Sequence, residues 1–258
     1  TDFMEELLRT SYMSEYALSL SGGNTSYSQL LSLSFNNQEG IIIDSKFNRA
    51  NLRYNSKLKI TDRWSLTANM QLNYIRNQRV VNSARTGTTG VVFNAFRIDP
   101  NKGLFNEDED FLDIDEDGSF IANPISNALY DDTVLENKDV ILGFNNTYNI
   151  SNNFIWTTRF GFTHRLSNNS SFANTRTARG RQDNGRLYDS NAAHTAIALE
   201  SFLNYDKVFG NHNLSVLIGL GYEDFITKRN AHRYIDFTFD TFGADAIQLA
   251  NEINLYNS

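Results

Sequence analysis

Cysteine is absent from all 258 residues, which excludes a disulfide framework and any thiolate metal site. Proline occurs only twice. No run of 18 apolar residues exists, so no helix of this chain can span a bilayer. No signal-peptide pattern opens the sequence, and a processed chain would have lost one. Positive charge is also scarce: 23 Lys+Arg stand against 30 Asp+Glu, a net charge of −7. That balance lacks the basic footprint of a nucleic-acid binder, so no nucleic-acid partner is expected. Hydrophobic residues make up only 40%, yet aromatics reach 13% and Asn, with 33 copies, is the commonest polar residue. Many aromatics among few aliphatics predict apolar surface arranged in bands, and they argue against disorder.

Much of the acidity is local. Glu107, Asp108, Glu109, Asp110, Asp113, Asp115, Glu116 and Asp117 fall together with no base among them. Without those eight the chain holds 23 basic and 22 acidic residues, so its body is near neutral.

The dominant pattern is alternation with period two. Trp64, Leu66, Ala68, Met70, Leu72 and Tyr74 alternate with Ser65, Thr67, Asn69, Gln71 and Asn73. Before them Ala50, Leu52, Tyr54, Leu58 and Ile60 alternate with Asn51, Arg53, Asn55, Lys57 and Lys59, with Ser56 the exception on the apolar side. Only Thr61, Asp62 and Arg63 separate the two runs, which predicts a tight hairpin. The same reading along the chain predicts eight strands, near 16–22, 27–35, 49–60, 64–75, 140–150, 154–165, 194–207 and 214–222. Short connections join the strands in pairs, and long loops (76–139, 166–193 and 223–258) follow the second, third and fourth hairpins. Tight turns at one end and large loops at the other are the connectivity of a transmembrane β-barrel. Trp64 and Tyr74 lie ten residues apart on one face, roughly 25 Å along the membrane normal for a tilted strand, the height of a lipid-facing band.

This assigns faces. Asn51, Arg53, Asn55, Asn69, Gln71, Asn73 and Arg159 are predicted to face the lumen. Trp64, Tyr74, Tyr54, Tyr148, Trp156 and Tyr222 are predicted to form aromatic girdles against outer-membrane lipid. Long charged side chains at Arg49, Arg53, Lys57, Lys59 and Arg159 suit a wide or plugged lumen better than a closed eight-stranded barrel. The expected fold is therefore all-β, with residues 1–258 forming about eight antiparallel strands of one larger barrel domain. Residues 223–258 read as the start of another loop whose return strand is missing. Two alternatives stay open: a soluble β-sandwich that binds carbohydrate, whose apolar faces pack on each other, and a small closed outer-membrane barrel enzyme.

Smaller constellations carry less. Asp113, Asp115, Asp117 and Gly118 open like a calcium loop, but the twelfth position is Pro124 where a bidentate Glu is required, which excludes an EF-hand. A different Ca²⁺ turn is the one cofactor this segment could support, against a solvated acidic turn. Arg176, Arg179, Arg181 and Arg186 suit phosphate or carboxylate, or else internal pairing with the acidic segment. Phe93, Phe96 and Arg97 lie in the apolar stretch 91–98 of the longest loop, where they could touch substrate or a lid, or simply pack. His164, His194, His212 and His232 are dispersed without ligand spacing, and no nucleophile elbow occurs, so an enzyme is not expected.

Thr1-Asp2-Phe3, Arg9-Thr10 and Tyr16-Ala-Leu-Ser-Leu-Ser-Gly-Gly23 resemble an early barrel segment of the SusC/RagA family, TonB-dependent outer-membrane transporters of the Bacteroidota. Leu33-Ser-Phe35, Asn37-Gln-Glu-Gly-Ile41 and Phe47-Asn-Arg-Ala-Asn-Leu-Arg53 fit the same pattern, as more weakly do Phe96-Arg-Ile-Asp-Pro100, Asp117-Gly118-Ser119 and Asn204-Tyr-Asp-Lys-Val-Phe-Gly210. The resemblance implies a 22-stranded barrel around a plug, neither the plug nor the remaining strands being present here. It implies residence in the bacterial outer membrane with the long loops facing the exterior. It also implies a SusD-like surface lipoprotein partner, contact with TonB through a part not in this chain, and import of oligosaccharides or peptides.

Overall fold

A computed structural model describes residues 1–81, 90–105, 111, 114–116 and 119–256. The chain opens with a short helix, α1 (Phe3–Leu7), and continues as β1 (Met13–Gly23), β2 (Tyr27–Glu39), β3 (Lys46–Thr61) and β4 (Trp64–Arg79). The long connection then holds α2 (Val91–Arg97), a small hairpin of β5 (Ile114–Glu116) and β6 (Ser119–Ile121), and α3 (Pro124–Tyr130). The main sheet resumes with β7 (Asp131–Asn149), β8 (Phe154–Ala173), α4 (Ala178–Gln182), β9 (Arg186–Phe209), β10 (His212–Phe237) and, after a 3₁₀ turn, β11 (Ala250–Tyr256).

These strands form one antiparallel nine-stranded sheet in the order β1-β2-β3-β4-β7-β8-β9-β10-β11. No strand joins β11 to β1, so the sheet does not close on itself. Among the described residues no second sheet covers its apolar face, where Leu18, Leu20, Trp156, Leu199 and Leu220 stand exposed. This removes the sandwich, which needs two sheets burying their inner faces together, and the small closed barrel, whose first and last strands must pair. The architecture is a wall of an antiparallel β-barrel.

The tight turns have local causes. Asn24 Oδ1 accepts from the backbone N–H groups of Ser26 and Tyr27 at 2.8 and 3.0 Å, an Asx turn between β1 and β2. Ser151 Oγ accepts from Asn153 and Phe154 between β7 and β8. Gly210, at φ 58°, supplies the left-handed residue between β9 and β10. The β3–β4 hairpin needs one further device. Thr61 pairs with Trp64 across Asp62-Arg63, and continuing that register would set Asn51 opposite Tyr74, polar against apolar. A register shift between Lys59 and Thr61 absorbs one residue, so Asn51 meets Asn73 and Leu52 meets Leu72.

The strands outrun the sequence reading, and they do so at the loop end. The segment 223–258, expected as a loop, contributes more than half of β10 and all of β11 as a ninth strand. The connections shorten to 40–45, 80–130, 174–185 and 238–249. Beyond the apolar belt the strict alternation lapses, as in Asn168, Asn169, Ser170 and Ser171 of β8, where both faces are polar although the backbone ladder continues.

Side chains bury fully only at this loop end. Phe3, Leu7, Val91, Ala95, Ile98, Ile121, Ile125 and Ala128 form one cluster, tying α1, α2 and α3 together. Asp2 caps α1 and Asn123 caps α3, each accepting two backbone N–H groups. Arg9 fixes the N-terminal segment to the β2–β3 connection through Gly40 O at 3.1 Å and Ser45 O at 2.9 Å.

Candidate functional site

The register brings all seven predicted lumen residues onto one face. Asn51, Arg53 and Asn55 of β3 sit opposite Asn73, Gln71 and Asn69 of β4. Asn51 Nδ2 donates to Asn73 Oδ1, which also accepts from Gln71 Nε2 at 3.0 Å, and Arg53 reaches Gln71 Oε1 at 3.5 Å. Arg159 lies on the same face across Thr67 and Asn145. Its guanidinium approaches Glu200 at 3.9 Å and stacks over Phe202. Arg49, Arg53 and Lys57 repeat every fourth position of β3, giving this face a cationic column. Sequence reasoning missed Asp139, which lies just before the predicted start of its strand. Its carboxylate binds Arg165 through two nitrogens, at 2.8 and 3.2 Å.

The opposite face is the belt. Trp64, Tyr148 and Trp156 are neighbours in one row across β4, β7 and β8, near the tight turns. The indole N–H of Trp64 donates to Asn146 at 2.6 Å and that of Trp156 to Ser201 at 2.8 Å. Tyr16, Phe35, Ala50 and Tyr74 form the row at the other edge across β1 to β4. Tyr222 ends the belt on β10, since Asp224 follows it on that face. Tyr54 departs from the girdle assignment. It sits opposite Met70 and Leu31, inside the belt, and its hydroxyl donates to Gln29 Oε1 at 3.2 Å.

The predicted loop residues are partly brought together. Phe93, Phe96 and Arg97 lie on the outer side of α2, whose Val91, Asn94 and Ala95 face the buried cluster. The Arg97 guanidinium stacks over the Phe93 ring. The arginines of 176–186 are engaged within the protein. Arg179 binds buried Asp131 at 2.6 Å, and Arg186 and Arg233 share Asp183 at 3.3 and 2.6 Å. Arg176 lies over Tyr130 and donates to its hydroxyl, while Arg181 donates to the backbone oxygen of Arg176. Among the described residues the acidic partners of these arginines are Asp131 and Asp183, and most of the acidic segment near residue 110 lies outside those residues. Burial pushes the Asp131 carboxyl up to about 6, against the opposing pull of Arg179 and Arg186. Of the calcium candidates, Asp113 and Asp117 lie outside the described residues and Asp115 falls in β5. Among the described residues no three His, Asp or Glu side chains converge on one point.

No family model matches the sequence. Over 228 residues, 86% of its length, the chain is 29% identical to TonB-dependent receptor P3 of Formosa agariphila. The RagAB peptide transporter structure superposes on 99% of the chain with a TM-score of 0.75 at 16% identity. The chain has the fold of a segment of that barrel. It spans 22% of the length of that receptor and 30% of the RagAB chain. The same wall superposes with a TM-score of 0.75 on the RagAB importer in its closed-closed and open-open states.

Proposed function

We propose that this segment is part of the wall of an outer-membrane transporter that imports oligosaccharides or peptides with energy relayed through TonB, under a SusD-like lipoprotein. One observation carries the reading: a single sheet with an uncovered apolar belt on one face and a connected amide and guanidinium surface on the other. In this reading the belt meets lipid, and Asn51, Arg53, Asn55, Asn69, Gln71, Asn73 and Arg159 line the lumen or grip a plug. The loop end faces the exterior, where Phe93, Phe96 and Arg97 are placed to meet substrate or lid. The resemblance to a peptide transporter and a TonB-dependent receptor supports it.

This segment has no cysteine of its own, so with any cysteine elsewhere in the protein replaced the faces can be read one position at a time. Single cysteines placed from Leu66 to Leu72 in the full-length protein, labelled with a fluorophore in brominated-lipid bilayers, should quench with period two. Positions 66, 68, 70 and 72 should quench and 67, 69 and 71 should not; uniform quenching would remove the membrane reading. Import is tested separately. Cells carrying the full-length protein should accumulate a labelled peptide or oligosaccharide, and a protonophore should abolish that accumulation. Uptake indifferent to the proton gradient would remove the energised step.

A further inference from the structure

Above the belt, the outward face of β7 to β10 carries a second pattern that transport does not use. In one row Lys138, Leu166, Ala193 and Lys228 lie side by side across the four strands. In the next row toward the loop end stand Glu136, Asn168, Asn191 and Asn230. Together they outline a depression of about 430 Å³, with a lysine at each side, Leu166 and Ala193 as floor and carboxamides above.

The charges there are unbalanced. Both lysines are exposed, and neither has an ion-pair partner among the described residues. Glu136 is already taken by Arg76 at 2.6 Å and by the Tyr74 hydroxyl at 3.2 Å. Asp224 shares the face but lies four positions below Lys228, about 13 Å along the strand. The lysine Cα atoms stand about 14 Å apart, three strand spacings, so both ammonium groups can reach one extended headgroup. Directly below Lys138 the belt begins with Val140 and Leu142.

We propose that this face binds a phosphorylated glycolipid: phosphate on Lys138 and Lys228, sugar hydroxyls on the Asn168, Asn191 and Asn230 amides, and acyl chains down the belt. Ammonium groups bind phosphate as point charges and carboxamides both donate to and accept from hydroxyls, which is the chemistry such a headgroup presents. The assignment rests on the reading that the apolar face meets lipid.

The test uses the full-length protein in phosphatidylcholine nanodiscs containing a bisphosphorylated diglucosamine glycolipid, with bound glycolipid counted by native mass spectrometry. The unaltered protein should retain the glycolipid, and the pair Lys138→Gln with Lys228→Gln should weaken retention on the order of tenfold. The phosphate-free glycolipid should bind the unaltered protein as weakly as the phosphorylated one binds the variant. Inorganic phosphate should not displace it. Unchanged retention by the variant, or displacement by inorganic phosphate, would overturn the site. If the cysteine series alternates and the variant still binds, only this site fails; if the series does not alternate, the lipid-facing reading fails beneath it.

Discussion

Met70→Arg in the full-length protein is expected to cost about 2–4 kcal/mol of barrel stability, the toll for a guanidinium near the bilayer midplane. Met70 sits mid-belt, opposite Tyr54 and Leu142. An arginine there has no nearby polar row to reach, and belt residues surround it on β3, β4 and β7. Gln71→Arg is the matched control, one position along the same strand but on the face that already carries Arg53. Its cost should stay below about 1 kcal/mol, as for an ordinary surface change. Urea titration of protein folded into phosphatidylcholine vesicles reads both. Equal losses from the two substitutions would mean that neither face meets lipid as described.

Arg179→Met is expected to destabilise the loop end by about 3–5 kcal/mol at pH 8, because it leaves a buried carboxylate without its partner. Asp131 is 2% exposed and Arg179 holds it at 2.6 Å, with Ser171 as the guanidinium's second contact. The sign of the pH dependence follows from burial. The Asp131 carboxyl titrates near 6 in the folded protein and near 3.8 when unfolded. Its stabilising contribution is therefore complete below the unfolded value and is lost as pH rises through about 6. Removing Arg179 withdraws an influence that lowers this value, so the carboxyl moves further up. The damage should thus be large at pH 8 and shrink toward pH 5, where the carboxyl is protonated. Hydrogen exchange in residues 124–135 and 171–187 reads this directly. A loss of protection independent of pH would show that Arg179 acts by packing alone.

The apolar face was legible because a two-faced strand alternates with period two, and Trp64 to Tyr74 does so without exception. That Asn51 and Asn73 share a face followed from the same alternation, whereas the register shift that pairs them leaves no mark in the residue types. Tyr54 was misplaced because an aromatic on the correct face says nothing about its height. The upper strands were illegible for a physical reason: above the belt, faces need not differ, and backbone pairing alone keeps Asn168 or Asn230 in a strand. The Arg179–Asp131 pair was beyond reach as well. Its members are 48 positions apart and meet only because β7 and β8 rise together from a turn far below. The apolar stretch at 91–98 was visible as apolar, and its spacing of Val91, Ala95 and Ile98 on the buried side is that of the helix it forms.

Strand length above the belt is not uniform. It grows from Phe35–Glu39 on β2 to Val140–Asp131 on β7 and Tyr222–Phe237 on β10. For strands tilted near 40°, that is a climb from roughly 10 Å on β2 to about 23 Å on β7 and about 38 Å on β10. The rim of this wall is therefore a ramp. Its low side, over β2 and β3, is where α1 and the 40–45 connection pack, with Ile42 and Ile43 against the helical cluster. If this rim faces the exterior as proposed, anything arriving along the surface meets a doorstep on one side and a parapet on the other, and the approach has a preferred direction before any moving part is considered.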